Sequence, residues 1–220
     1  ELNAITKLLL RDVATPNNLD PYFPKFRNFD WFRGHSYSHG ATTFGDGKDQ
    51  ESSSEDINFC YALYLFGVAT KDARMTTIGK LMAKLNAHAI QTYFLMESTN
   101  KVHPPEFTPH KVAGIFFDNK LDYATWFSPE KYCIHGIQMI PITPITEFVR
   151  TKNFIKEEWD TVLSTLPIVT TKDVTNAWIS LLYANYARID RASAMPVLQT
   201  CALDDGLTRS WALYMAAQLN

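Results

Sequence analysis

Two glutamates separated by three serines, Glu51-Ser52-Ser53-Ser54-Glu55, offer the clearest acid/base chemistry in the 220 residues. If helical geometry already holds across them, Glu51 and Glu55 stand at i and i+4 on one face, with Cβ atoms about 6 Å apart. Two carboxylates that close beside an apolar segment raise the proton affinity of one of them, the setting in which one carboxyl gives a proton and another takes one. Around them Asp30, Trp31, His35, Tyr37, Gln50 and Asn58 combine planar rings with hydrogen-bonding side chains. That mixture suits sugar rings, whose apolar faces stack on aromatics and whose hydroxyls need donors and acceptors. The plainer alternative is that the glutamates only complement the positive end of a helix dipole, worth about 0.3–1 kcal/mol.

Two other chemistries are weaker. Gly34-His35-Ser36-Tyr37-Ser38 has the outline of a hydrolase nucleophile elbow, but Ser38 stands where the second glycine belongs and no buried strand precedes it. His35 and His39 have the spacing of metal ligands, yet they lie between Gly34 and Gly40 in a loop with no third ligand indicated. His135, in Cys133-Ile134-His135-Gly136, reads either as a site residue or as a buried, hydrogen-bonded loop histidine, and its residue context alone favours the buried one.

The elements that must position these groups are helical. From Asp56 the chain runs Ile57, Phe59, Cys60, Tyr61, Leu63, Tyr64, Leu65 and Phe66 to Gly67, a helix apolar on every side that predicts enclosure by others. Ser52, Ser53 and Ser54 are capping residues at its start. After a turn at residues 70–72, Met75, Ile78, Met82, Leu85, Ala89, Tyr93 and Met96 recur every three or four residues, with Lys80, Lys84 and Gln91 off the stripe, which predicts an outer helix with one wet face. A buried helix turning tightly into an amphipathic one indicates α/α layering. Residues 156–166, 173–189 and 207–219 also read as helices, giving about seven in all, whereas 100–144 is rich in Pro, Gly and aromatics and has room for short strands. Leu2, Ile5 and Leu9, at spacings of three and four, mark the apolar face of an amphipathic helix at the start of the chain, which opens on Glu1 with no initiator Met and so reads as cut from a longer polypeptide.

Composition narrows the partners. A net charge of -2 with mixed signs lacks the basic stripe that nucleic acid requires. Apolar runs such as 59–68 are half the roughly 20 residues a membrane-spanning helix needs. Cys60, Cys133 and Cys201 are too few and too far apart for a disulfide framework or a zinc motif.

Four ordered stretches, "FDWFRGHSYSHG", "DGKDQESSSEDINFCYALYLFG", "IHGIQMIPITP" and "DDGLTRSWALY", together resemble the C-terminal region of glycoside hydrolase family 81, the endo-1,3-β-glucanases. The resemblance implies an all-α fold with long loops, part of an (α/α)6 toroid that complete members precede with a β-sandwich, so that residues 1–220 are the C-terminal portion of the catalytic domain. It implies endo-acting, inverting hydrolysis of β-1,3-glucan without metal or cofactor. The family's general base comes from the "QESSSE" motif and therefore falls on Glu55 or Glu51; Glu55 is favoured because it opens the buried helix, with Glu51 positioning the water or the sugar. Asp30, His35, Gln50 and Asn58 match family positions lining the cleft, and with Trp31, Tyr37, Tyr61 and His135 they make up the expected substrate-binding set. Tyr37 replaces the family's usual tryptophan. The family's general acid, an aspartate in an Asp-His-His-Phe-His-Tyr-Gly type of motif, has no counterpart among these residues and is expected upstream, on an N-terminal part that would be this chain's partner. The location implied is extracellular or cell-wall, with the cytoplasm as the alternative. A non-catalytic β-glucan-binding module of the same fold is the competing function.

Overall fold

A computed structural model describes residues 1–16, 18–38 and 43–218. Helix α1 (Leu2–Ala14) leads to a short antiparallel hairpin of β1 (Phe29–Asp30) and β2 (His35–Ser36), with Phe29 opposite Ser36 and Asp30 opposite His35. Strand β3 (Asp49–Gln50) then runs into α2 (Ser53–Ala69), which turns into α3 (Ala73–Ala89). The segment after α3 carries β4 (Ile115–Phe117) and β5 (Leu121–Asp122), which join β3 in a three-stranded antiparallel sheet of order β3-β4-β5. Seven further α-helices follow among the described residues: α4 (Lys131–Gly136), α5 (Thr146–Val149), α6 (Lys152–Thr161), α7 (Pro167–Thr170), α8 (Trp178–Tyr186), α9 (Arg191–Thr200) and α10 (Arg209–Gln218).

The α2–α3 hairpin follows from its sequence. Ser52 caps α2 by accepting a hydrogen bond from the Glu55 N–H at 3.3 Å, and Asp72 caps α3 through the Met75 N–H at 3.0 Å. Between the caps Lys71 takes a left-handed conformation at φ 57°. The two helices touch backbone to backbone at a pair of glycines. A Cβ on Gly67 would lie 2.4 Å from the Thr76 nitrogen, and one on Gly79 would lie 2.4 Å from the Tyr64 nitrogen.

Three expectations need correction. α2 is apolar all round, yet α3 covers only one side of it: Ile57, Cys60 and Leu63 are buried while Leu65 and Val68 are 45% and 49% exposed. α1 forms where expected, but Leu10, Val13 and Ala14 pack on the core and the side bearing Leu2, Ile5 and Leu9 faces outward. The apolar stripe of α3 continues to Met96, but the helix ends at Ala89 and passes into a single π-turn, residues Ile90–Phe94, which shifts the register before Leu95 turns extended.

Two hydrophobic cores meet at α6. Phe154 and Ile155 sit with Phe29, Ile57, Cys60, Leu63, Met82 and Phe94, whereas Trp159, one turn on, belongs with Leu163, Ile179, Leu182, Leu198 and Met215. Trp159 stacks on Tyr186 with ring centroids 3.7 Å apart. Cys60, Cys133 and Cys201 are buried free thiols, Cys60 and Cys201 inside these cores.

A buried polar network fastens the joint. Glu158 on α6 accepts hydrogen bonds from Arg150, from His135 Nδ1 at 2.8 Å and from Asn185 Nδ2 at 3.3 Å. Because an ionised carboxylate can only accept, Nδ1 of His135 carries the proton in that contact, and Nε2 lies 2.8 Å from the Tyr123 hydroxyl. Arg150 also donates to Asn185 Oδ1 at 3.0 Å. Burial alone would raise the Glu158 pKa, but Arg150 and His135 hold it below the ordinary carboxylate value.

Two stability measurements test this packing. Gly79→Ala is expected to lower the unfolding free energy by about 1–3 kcal/mol, because backbone rather than a flexible side chain meets the new methyl; an unchanged urea midpoint would refute the close approach. A carboxyl whose folded pKa is depressed contributes stability above its unfolded pKa and loses it as pH falls through the folded value. Stability should therefore decline below about pH 4.5. Glu158→Gln should flatten that acid limb and, by leaving Arg150 without its counter-charge, cost about 3–5 kcal/mol at neutral pH. An acid limb as steep as in the parent chain would remove Glu158 from the account.

Candidate active site

The three serines between the glutamates are fixed by a turn 85 residues away. Ser52 Oγ donates to the Ile137 carbonyl at 2.8 Å, and Ser54 Oγ to the Ile137 and Ile140 carbonyls at 3.0 and 2.5 Å. Ser53 donates through both its N–H and its hydroxyl to Gln138 Oε1, at 3.0 and 2.5 Å. Small hydroxyl side chains fit this role, since each reaches a nearby carbonyl without demanding space. Within that bed Glu55 is left exposed on the first turn of α2.

Glu51 is placed differently from the sequence expectation. α2 begins only at Ser53, and Ser52 is extended at φ -119°, ψ 92°, so Glu51 and Glu55 are not i and i+4 on one helix. Glu51 stands before the cap, where its Oε1 accepts from the Trp126 N–H at 2.8 Å.

Asp30, Trp31 and Tyr37 line an open cleft of ≈ 440 Å³ together with Arg27, Asn28, Phe29 and Lys48. Asp30 Oδ1 accepts from the Phe32 and Arg33 N–H groups at 2.9 and 3.1 Å, so the carboxylate also shapes the hairpin turn. Trp31 is 38% exposed and stands edge-on to Phe26 and Phe29. Tyr37 is buried, and burial pushes its hydroxyl pKa up.

Other members of the expected set point inward. His35 is buried among Tyr37, Phe94 and Phe116, with Nδ1 2.9 Å from the Ser36 carbonyl, and burial lowers its pKa toward the neutral form. Gln50 donates to the Ser36 carbonyl at 3.0 Å and accepts from the Ser52 N–H at 3.3 Å. Asn58 donates to the Ser54 and Pro141 carbonyls at 2.8 and 3.1 Å and accepts from Thr143 Oγ1 at 2.6 Å. His135 is fully buried in the Glu158 network. Tyr61 is half-buried and stacks on Tyr64. His39, the other half of the His35 pair, lies outside the described residues.

Sequence spacing passed over several residues that hold the site. Asp56 is buried, its pKa raised by that burial, and its Oδ2 accepts from the Ser36 N–H at 2.8 Å and from Asn86 Nδ2 at 2.7 Å. Asn86 also reaches the Gly34 carbonyl at 3.2 Å, so the β1–β2 hairpin is pinned to α2 and α3 at once. The available signal was a polar residue on the apolar face of α3; Gln138, inside an apolar run, carries the same signal. Trp126, 51% exposed, donates through Nε1 to Asp49 at 2.9 Å and stacks on Phe44 at 5.7 Å. The main-chain N–H of Trp126 is the one that holds Glu51.

The stretch therefore presents an exposed carboxylate on a rigid helix start and a second carboxylate oriented by a main-chain N–H, and the rings of Trp31, Phe44 and Trp126 are half-exposed. Comparison with known proteins places the chain in a family. The sequence matches the glycosyl hydrolase family 81 C-terminal domain over residues 1–213. Glucan endo-1,3-beta-D-glucosidase 2 of Saccharomyces cerevisiae is 43% identical over 210 residues, 93% of this chain and 26% of that protein. The primary septum glucan endo-1,3-beta-D-glucosidase of Schizosaccharomyces pombe is 38% identical, over 96% of this chain and 21% of its own length. A solved family 81 glycoside hydrolase from Clostridium thermocellum superposes with a TM-score of 0.85 at 27% identity, over 98% of this chain and 30% of that one. The chain thus spans about a quarter of the length of the relatives it matches. By its fold and by its sequence alike, this chain belongs to glycoside hydrolase family 81.

Proposed function

We propose that this chain is the C-terminal portion of an endo-acting β-1,3-glucan hydrolase working by inversion, with Glu55 as general base. The observation that carries the proposal is the seating of "ESSSE": its three serines are tied to the 137–140 turn, while Glu55 projects from the first turn of α2 into solvent. The names of the relatives support the substrate class, since the yeast proteins are glucan endo-1,3-beta-D-glucosidases.

In this reaction Glu55 takes a proton from water as its oxygen bonds to the anomeric carbon. The glycosidic C–O bond breaks on the opposite side, and a general acid protonates the leaving oxygen. Glu51, held by the Trp126 N–H, orients the water or the adjoining sugar. Inversion separates the two working carboxyls by about 6.5–9.5 Å. The acid is assigned to an aspartate in the part of the relatives that this chain does not span, so residues 1–220 alone hold one half of the pair. Trp31, Trp126 and Phe44 supply apolar faces for sugar rings. The relative named for the primary septum supports action at the cell wall.

The test uses a protein of the relatives' full length that contains this chain. Glu55→Gln is expected to lower laminarin hydrolysis by about 10²–10⁴-fold with oligosaccharide binding retained, and Glu51→Gln to lower it less. The first product should carry the α configuration at its new reducing end. Normal hydrolysis by Glu55→Gln would remove Glu55 as the base. Oligosaccharide binding by the unaltered protein without release of any reducing sugar would replace the hydrolase with a glucan-binding module.

A further inference from the structure

We infer that Gln138 is a positioning residue for this acid/base stretch, its side-chain amide locking the main chain on both sides of the α2 cap so that Glu51 and Glu55 are held in fixed relation. The inference rests on the assignment of Glu55 and Glu51 above and adds a residue that does not touch the sugar.

Gln138 is 1% exposed, and each of its amide's four hydrogen-bonding positions is occupied. The oxygen accepts from the N–H and the hydroxyl of Ser53 at 3.0 and 2.5 Å. The nitrogen donates to the Glu51 carbonyl and, at 3.2 Å, to the Gly114 carbonyl. Rotating the amide by a half-turn would set N–H against N–H and carbonyl against carbonyl, so only one orientation is satisfied.

The partners make this more than a helix cap. Ser52 Oγ already caps α2 by accepting the Glu55 N–H. Gln138 instead joins the carbonyl of Glu51, upstream of the cap, to the N–H of Ser53, downstream of it. It thereby sets the angle between the extended chain that carries Glu51 and the helix that carries Glu55. Gly114 ties the same amide to the β3-β4-β5 sheet, where a side chain in place of hydrogen would lie 2.2 Å from the Ala124 carbonyl oxygen.

Gln138 is itself held from behind. Its carbonyl accepts from Arg150 Nη1 at 3.2 Å, and Arg150 is fixed by Glu158 and Asn185. A rigid chain of contacts thus runs from the Glu158 network through Arg150 and Gln138 to the main chain between the two glutamates. A general base that must present water to an anomeric carbon loses about 10²-fold for a misplacement near 1 Å, while glucan held along the cleft tolerates it.

The experiment uses the full-length protein and two substitutions. Gln138→Met keeps the length and removes all four hydrogen bonds; Gln138→Glu keeps the shape and the acceptor for Ser53 but loses the donor to Glu51. Ser53→Ala, which removes one bond of the four, serves if either fails to fold, and Gly79→Ala serves as a destabilised control far from the glutamates. The expected result is a fall in kcat on laminarin of about 10- to 100-fold for both Gln138 variants, and about threefold for Ser53→Ala, with KM and oligosaccharide affinity within about twofold and kcat of Gly79→Ala unchanged. Unchanged kcat in the Gln138 variants while Glu55→Gln is inactive would overturn the positioning role alone. An equal fall in Gly79→Ala would assign the loss to stability and overturn it as well. Full activity in both Glu55→Gln and Glu51→Gln would remove the acid/base assignment and this inference with it.

Discussion

A carboxylate sealed from water must be met by donors on every side, and at Glu158 those donors come from α4, from the turn after α5 and from α8. Their convergence fixes how three otherwise separate helices meet α6. A hydrophobic contact would tolerate sliding by an ångström, since burial is non-directional. A charge-assisted hydrogen bond does not, because its energy falls steeply with distance and angle. The two cores could pack at several relative angles; the ionic joint at α6 selects one of them.

That selection reaches the candidate site through short links. Arg150 holds the carbonyl of Gln138, and residues 137–140 in turn accept or share every hydroxyl of the Ser52-Ser53-Ser54 run. On the other side Asp56 draws in the hairpin through the Ser36 N–H and α3 through Asn86. The start of α2 is therefore clamped from two directions by polar groups, while its far end rests on α3 through the contact of Gly67 and Gly79. Rigidity is concentrated where an exposed glutamate would need it.

Much of the helical frame was legible in the sequence. The stripe from Met75 onward located α3 and its wet face, and the unbroken apolar run located α2, because both patterns are local. Helix α9 escaped notice because Pro196 lies inside it and interrupts the pattern, although Asp190 caps it in the ordinary way through the Ser193 N–H. The sheet was foreseen only as room for strands. Its registers pair Asp49 with Phe117 and Ile115 with Asp122, and two-residue strands leave no period to detect. The relation of Glu51 to Glu55 was misjudged for a comparable reason. The cap was assigned to the serines as a group, and only the extended conformation of Ser52 shows that helical spacing begins after Glu51.

The site residues divide by the side of the fold they face. Residue type grouped His35, Gln50 and Asn58 with Asp30 and Trp31, since all could bind hydroxyls, and His135 joined the expected set. In the fold His35, Gln50, Asn58 and His135 form hydrogen bonds to carbonyls and carboxylates of their own chain, because a buried polar group left unpaired costs about 1–3 kcal/mol. A polar side chain in an apolar stretch is thus first a sign of a buried joint. The groups that remain open are Glu55 and the half-exposed Trp31, Trp126 and Phe44. An exposed acid on a helix start, braced from beneath by the Gln138 amide and the three serine hydroxyls, separates the open surface from the machinery that keeps it in place.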